Sequence, residues 1–429
     1  MTRRGSRTDR ERTTGGILGL ALVVALAATG SGCYRWGGGR QAEASGRAGG
    51  DGTGAPGPAP QAEVPGEAGW PLLKHDLART SRCATLGPVK PVEQWHLAVG
   101  QALAPLALGV GVLYVGDAGA PCLYAVSTGG KRWWTLGLDQ PVCATPALGP
   151  DGTVYVATWP VKGPSAPGAT DRGAVYAVGA SGDVRWSDPV SGGAYASPAL
   201  TQNGTLYVAT FKGELRALTP AGEIPWSRQL GGFRCMSSPA LGHDGTVYVG
   251  VMGAAEDATR GSLVAVRPSG DPSWRLEGIG DVVGTPAVGD DGTVYVVTYL
   301  GTVIAVSPAG GELWRYDLGG ATTSSPALGH KGQVHIGLES GRLACIRSDG
   351  SLRWTYDAGA AIRGCPVVDG QGTVYCGTAG QGVVALREDG SLLWSLPFGE
   401  VVAGAYPVLA RDGTLFIGTS EGTLYAFHD

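Results

Sequence analysis

One phrase of about forty residues recurs eight times along this chain, and few folds can absorb such a sequence. It runs Ser-Pro-Ala-Leu, then Asp-Gly-Thr-Val-Tyr-Val, then Leu-x-Ala-Val, then Gly-x-x-x-Trp. Its proline falls at Pro105, Pro146, Pro198, Pro239, Pro286, Pro326, Pro366 and Pro407. Its tryptophan falls at Trp134, Trp186, Trp226, Trp274, Trp314, Trp354 and Trp394. Four short apolar runs per period, split by glycine turns, describe one propeller blade of four strands, A to D from hub to rim. Val and Tyr alternate in run B, as a pleated, half-buried strand requires. The A–B turns carry Asp151-Gly152, Asn203-Gly204, Asp244-Gly245, Asp291-Gly292 and Asp412-Gly413, which are strong short hairpin signals.

The last copy stops at Leu424-Tyr425-Ala426-Phe427, a strand C with no tryptophan after it. Pro91 to Leu97 supplies the missing piece, because Trp95 stands one period before Trp134. The expected fold is therefore all-β: eight four-stranded antiparallel blades, the last closed by an N-terminal strand. Closure removes sheet edges that would otherwise invite aggregation. The eight tryptophans, Trp95 included, are expected to be contacts between blades.

The propeller is expected over 69–429. Residues 1–32 read as a signal peptide, with five arginines, a short apolar run from Ile17 to Ala28, and small residues before Cys33. A cysteine there resembles a bacterial lipobox, although Gly30 stands where leucine is usual. Cys33 is thus the expected site of lipid attachment, with a simple cut and a soluble periplasmic or surface-exposed protein as the alternative. Residues 33–68, rich in Gly, Ala and Pro, read as a disordered tether. The whole chain holds 32 basic and 36 acidic residues. The first 33 residues take five of the basic and two of the acidic ones. No basic block remains, which argues against nucleic acid as a partner.

The repeated Leu-x-Ala-x…Gly-x-x-x-Trp pattern resembles the quinoprotein-type β-propeller repeat family from about Trp70 to the end. The segment Trp70-Pro71…Asp76…Arg79-Thr80 is similar to the lead-in of such propellers. One branch of that family comprises quinone-dependent alcohol and sugar dehydrogenases. Another is non-enzymatic and includes the propeller lipoprotein of the outer-membrane β-barrel assembly machinery. The layout is closest to the second branch. No two cysteines are adjacent here, whereas the quinone enzymes carry such a pair over the cofactor. No catalytic residue, cofactor or metal site is therefore expected. Gly418-Thr419-Ser420-Glu421-Gly422 matches a nucleophile-elbow string without its strand-to-helix context. The six histidines are scattered and lack paired metal spacing. Among the cysteines, Cys365 with Cys376 and Cys83 with Cys122 are possible disulfides, and Cys345 reads as a free buried thiol.

Strand direction places the D–A and B–C loops on one face of the disc. Both irregular insertions, 159–172 and 252–260, fall in B–C loops there. Loops on a rigid scaffold are where binding is usually built. Tyr195, Phe233, Arg234, Asp281, Arg363 and Glu400 are the candidate binding residues. The resemblance implies a non-catalytic outer-membrane lipoprotein facing the periplasm, a scaffold whose partners are other envelope proteins and whose only membrane contact is its lipid. A ligand- or glycan-binding sensory propeller is the alternative, and a quinone-dependent dehydrogenase the third reading.

Overall fold

The computed structural model describes residues 74–160, 172–232, 234–253, 260–380, 382–397 and 406–429. The signal peptide, Cys33 and the tether lie outside the described residues, as do Phe233 and Glu400. The described chain forms eight four-stranded antiparallel sheets arranged as propeller blades. In each, a two-residue inner strand A is followed by B, C and D. The third blade is typical, with β10 (Ala199–Leu200), β11 (Leu206–Ala209), β12 (Glu214–Leu218) and β13 (Trp226–Gln229). Strand B is buried along its whole length, while strand D alternates exposed and half-buried. Apolar residues from neighbouring blades therefore meet in clusters at the interfaces, one of which runs through the eighth blade from the seventh to the first. The eighth sheet takes its outer strand β1 from early in the described residues, followed by β32, β31 (Leu415–Gly418) and β30 (Val408–Leu409) from the last of them. Its β1 (Val92–Ala98) pairs with β32 (Thr423–His428), and Trp95 lies opposite Ala426.

Each blade carries the same cross-strand row. An aromatic on B faces a small residue on C, which faces the tryptophan on D; Tyr207, Ala217 and Trp226 are one such row. The B ring and the tryptophan lie 5.5–5.9 Å apart in all eight blades. Each indole N–H then donates to a carbonyl of the next blade's C–D turn, as Trp226 does to Pro268 at 2.9 Å. The indole also covers the glycine of that turn: a Cβ on Gly270 would stand 2.7 Å from the Trp226 ring. The series runs around the disc, and Trp394 donates to Pro88 at 2.8 Å. In that last turn Asp429 Oδ1 accepts the amides of Val89 and Lys90 at 2.7 and 2.6 Å. One turn is thus shared by residues far apart in sequence.

Two sequence expectations, the first register proline and the disulfides, need correction. In the first blade strand A is Ala107–Leu108, so Leu106 holds the register position and Pro105 stands one residue early. The A–B turns take their positive φ at the glycine, as the Asp-Gly signal requires: Gly152, Gly245 and Gly292 have φ of 77–81°. The aspartate accepts an amide two residues on, as Asp244 does from Thr246 at 2.9 Å. No disulfide forms among the described cysteines, all of which are free. Cys365 Sγ lies 3.1 Å from Ser81 Oγ and 3.2 Å from the Ser325 carbonyl, turned away from Cys376 toward the hub. Cys83 Sγ lies 3.6 and 3.8 Å from the carbonyls of Thr85 and Val368 rather than pairing with Cys122.

Candidate functional site: the loop face and the plugged hub

An inner strand leaves one edge unpaired, so its inward amides and carbonyls need partners. The segment Lys74 to Thr85 supplies them on one side of the hub. The carbonyls of Leu77, Ala78, Thr80 and Ser81 accept from Leu241, Val288, Leu328 and Val368, the A strands of four successive blades. Arg79 donates to the carbonyls of Pro239 and Pro198, both at 2.9 Å, and Lys74 Nζ to that of Pro326 at 2.5 Å. Both cations are fully buried, at 0 % and 1 % exposure. Burial pushes the Lys74 ammonium down to about 8 and the Arg79 guanidinium down to about 10. Among the described residues, the only non-glycine positions with positive φ are Lys74, His75, Arg79 and Ser81. Such conformations persist where surrounding contacts over-determine them. Periodicity gave no sign of this plug, because the segment lies outside the repeat; the Asp76…Arg79-Thr80 string was the one available signal. Asp76 Oδ1 accepts the Thr80 amide at 2.9 Å and holds the turn.

Above the plug, hydroxyls link the blades around the hub. The amides of Thr145, Ser197 and Thr285 donate to Ser197, Ser238 and Ser325 hydroxyls at 2.9 Å. Two residues further toward the D–A loops, half-buried side chains alternate with buried ones. They are Cys143, Tyr195, Met236 and Val283 on successive blades, then Thr323 and Arg363. The mouth on this face is therefore apolar along one arc and polar along the next.

The candidate residues separate into distinct settings. Tyr195 meets Trp159 edge-on at 6.0 Å, Trp159 meets Phe211 at 4.6 Å, and the Arg234 guanidinium lies 4.9 Å over Phe211. Tyr195 and Arg234 thus belong to one aromatic corner, and Trp159 and Phe211, absent from the sequence list, hold it together. Their signal was an aromatic after the Thr that directly follows strand B, a position shared by Tyr299. Burial pushes the Arg234 guanidinium down. Arg363 belongs to a second, polar corner: its Nε lies 2.8 and 3.1 Å from the Glu339 carboxylate, which also accepts from Thr323 Oγ1 at 3.3 Å. Asp281 is 3 % exposed and accepts the Gly253 amide at 2.7 Å, so it braces a loop rather than presenting a charge. The string 418–422 is the hairpin turn between β31 (Leu415–Gly418) and β32.

The donor set does not suit a quinone cofactor with its metal. The chain has no adjacent cysteine pair, and Asp281 and Glu339 are engaged with Gly253 and Arg363. Among the described residues, no three His, Cys, Asp or Glu side chains gather as metal ligands.

The structure is similar to the BamB crystal structure from Moraxella catarrhalis, with a TM-score of 0.62 and 17% identity, covering 79% of this chain and all of that one. It is similar also to quinohemoprotein alcohol dehydrogenase from Comamonas testosteroni, with a TM-score of 0.66, 14% identity and 84% and 80% coverage. At such identities the likeness is one of fold. In sequence, 145 residues are 36% identical to Protein Rv3035 of Mycobacterium tuberculosis, spanning 32% of this chain and 33% of that protein. The chain therefore matches about a third of the length of this curated relative. The profile of the family described as outer membrane protein assembly factor BamB matches residues 119–309 and 300–429, and the chain belongs to that family.

Proposed function

We propose that this protein is a non-catalytic scaffold of the bacterial cell envelope that binds other envelope proteins through its D–A/B–C loop face. Family membership supports protein binding in the envelope. The observation that carries the choice of face is the split mouth: the Trp159–Tyr195–Phe211–Arg234 corner beside the Arg363–Glu339 corner. Short turns built around a positive-φ glycine occupy the other face. Aromatic and arginine side chains are the types enriched where protein interfaces hold their binding energy. Attachment at the outer membrane through a lipidated Cys33 is the finer form of this proposal. The dehydrogenase reading is supported by fold likeness alone, and the donor set argues against it.

Photo-crosslinking from the envelope of living cells tests the assignment. A crosslinking amino acid at Tyr195 or Arg363 should give protein adducts, and one at Ser351, in a C–D turn, should not. Equal or absent adducts at all three positions would remove the loop face as the docking surface. Dye reduction after loading with quinone and Ca²⁺ should stay at background.

A further inference from the structure

Seven blades place an aromatic ring opposite alanine on strands B and C: Tyr114 with Ala125, Tyr155 with Ala177, Tyr207 with Ala217, Tyr248 with Ala265, Tyr295 with Ala305, Tyr375 with Ala385 and Phe416 with Ala426. The sixth blade replaces both members at once. His335 on β23 (Val334–Gly337) lies opposite Cys345 on β24 (Arg342–Ile346). Both are buried, at 2 % and 0 % exposure, and the imidazole keeps the ring contact with Trp354 at 5.5 Å. Its Nδ1 is buried with no hydrogen-bond partner. An unpartnered buried nitrogen has a cost that the tyrosine of the other blades does not carry. A packing role alone does not explain the exchange of Tyr and Ala for two metal-ligating side chains.

We propose that His335 and Cys345 form a two-coordinate site for a soft monovalent d¹⁰ ion, Cu(I) in biological settings. Thiolate and imidazole are ligands that suit copper, and soft sulfur selects Cu(I). Two donors are too few for a structural zinc site, which takes four. Directly opposed residues have Cβ atoms about 4.5–5.5 Å apart. Side chains rooted that close together can both reach one ion, with bonds of about 2.3 Å to sulfur and about 2.0 Å to nitrogen. Binding replaces the thiol proton, which leaves to solvent: Cys-SH, imidazole and Cu⁺ give a sulfur–copper–nitrogen unit and H⁺, with no change of oxidation state. The Arg353 and Arg347 side chains lie near Cys345. Arg353 is itself held by Glu388, 3.2 Å away, which also binds Lys331 at 2.9 Å. These groups form an outer shell that can balance charge as the proton leaves.

The test uses the full chain under anaerobic conditions, equilibrated with Cu(I) buffered by bathocuproine disulfonate. Wild type should retain one equivalent of copper more than the double variant His335→Tyr, Cys345→Ala, which restores the pair that other blades carry and is expected to fold. A Cys376→Ala control, losing a buried thiol one blade away, should retain as much as wild type. Copper X-ray absorption on wild type, which needs no variant, should show one sulfur and one nitrogen neighbour. Equal retention by wild type and the double variant, or a sulfur-only spectrum, would overturn the proposal.

Discussion

At the residue scale, two side chains make sharp predictions. Trp226 contacts Tyr207, covers Gly270 and donates to Pro268. Trp226→Ala opens a cavity between two blades and should cost about 3–5 kcal/mol, read by denaturant unfolding. Wild-type stability in that variant would contradict the contact series. Lys74 is the other case. Burial lowers its folded value to about 8 from an ordinary 10.5. The groups that act on it are Cys365, Arg79 and Asp76. Between those two values the unfolded chain binds the extra proton, so stability rises with pH there. The full penalty is present below pH 8 and is relieved as pH approaches 10.5. The whole effect is on the order of 3 kcal/mol. Burial raises the cysteine and tyrosine values, which oppose this trend above about pH 9, so a difference measurement isolates it. Lys74→Met should gain on wild type most at pH 7 and progressively less toward pH 10. A constant difference across that range would show that Lys74 keeps its ordinary proton affinity, and its charge, in the hub. The histidine–cysteine pair belongs to this scale too: ten residues separate its members, a spacing that suggests nothing until a hairpin sets them side by side.

At the element scale, the seam between β1 and β32 is the place to perturb. Leu97 lies opposite Leu424 in that ladder. Leu97→Pro removes an amide and fixes φ in a strand, which should destabilise by about 3 kcal/mol or more. Hydrogen exchange in residues 415–427 should accelerate ahead of that in 199–218, and the freed edge should promote aggregation. Unchanged protection in 415–427 would mean that the seam does not bear the load. The repeat phrase was sufficient to place the strands, because strand period and turn chemistry are local. It misplaced the first register proline, since Pro105 satisfies the phrase one residue before the position that Leu106 fills.

At the scale of the whole molecule, the disc separates fold from function. Arg363 and Glu339 are each about a quarter exposed, at 25% and 29%. An ion pair so placed is worth little to stability, about 0–1 kcal/mol. Arg363→Ala should therefore leave the melting transition almost unmoved while lowering capture of envelope partners. A large loss of stability would assign Arg363 to the fold, and unchanged capture would remove it from the interface. Phe233 and Glu400 lie outside the described residues.

Local chemistry in the chain determined the blade, the number of blades and the tryptophan contacts, because each depends on residues within one period or one period apart. Only the tertiary structure decided what fills the hub. Inner strands expose their edge wherever a ring forms, and which segment covers that edge depends on how the chain lies across blades that are distant in sequence. The same holds for the face. Tyr195 and Arg234 share a corner because Trp159 and Phe211 bring two blades together there, and Asp281 leaves the surface because the Gly253 amide needs an acceptor.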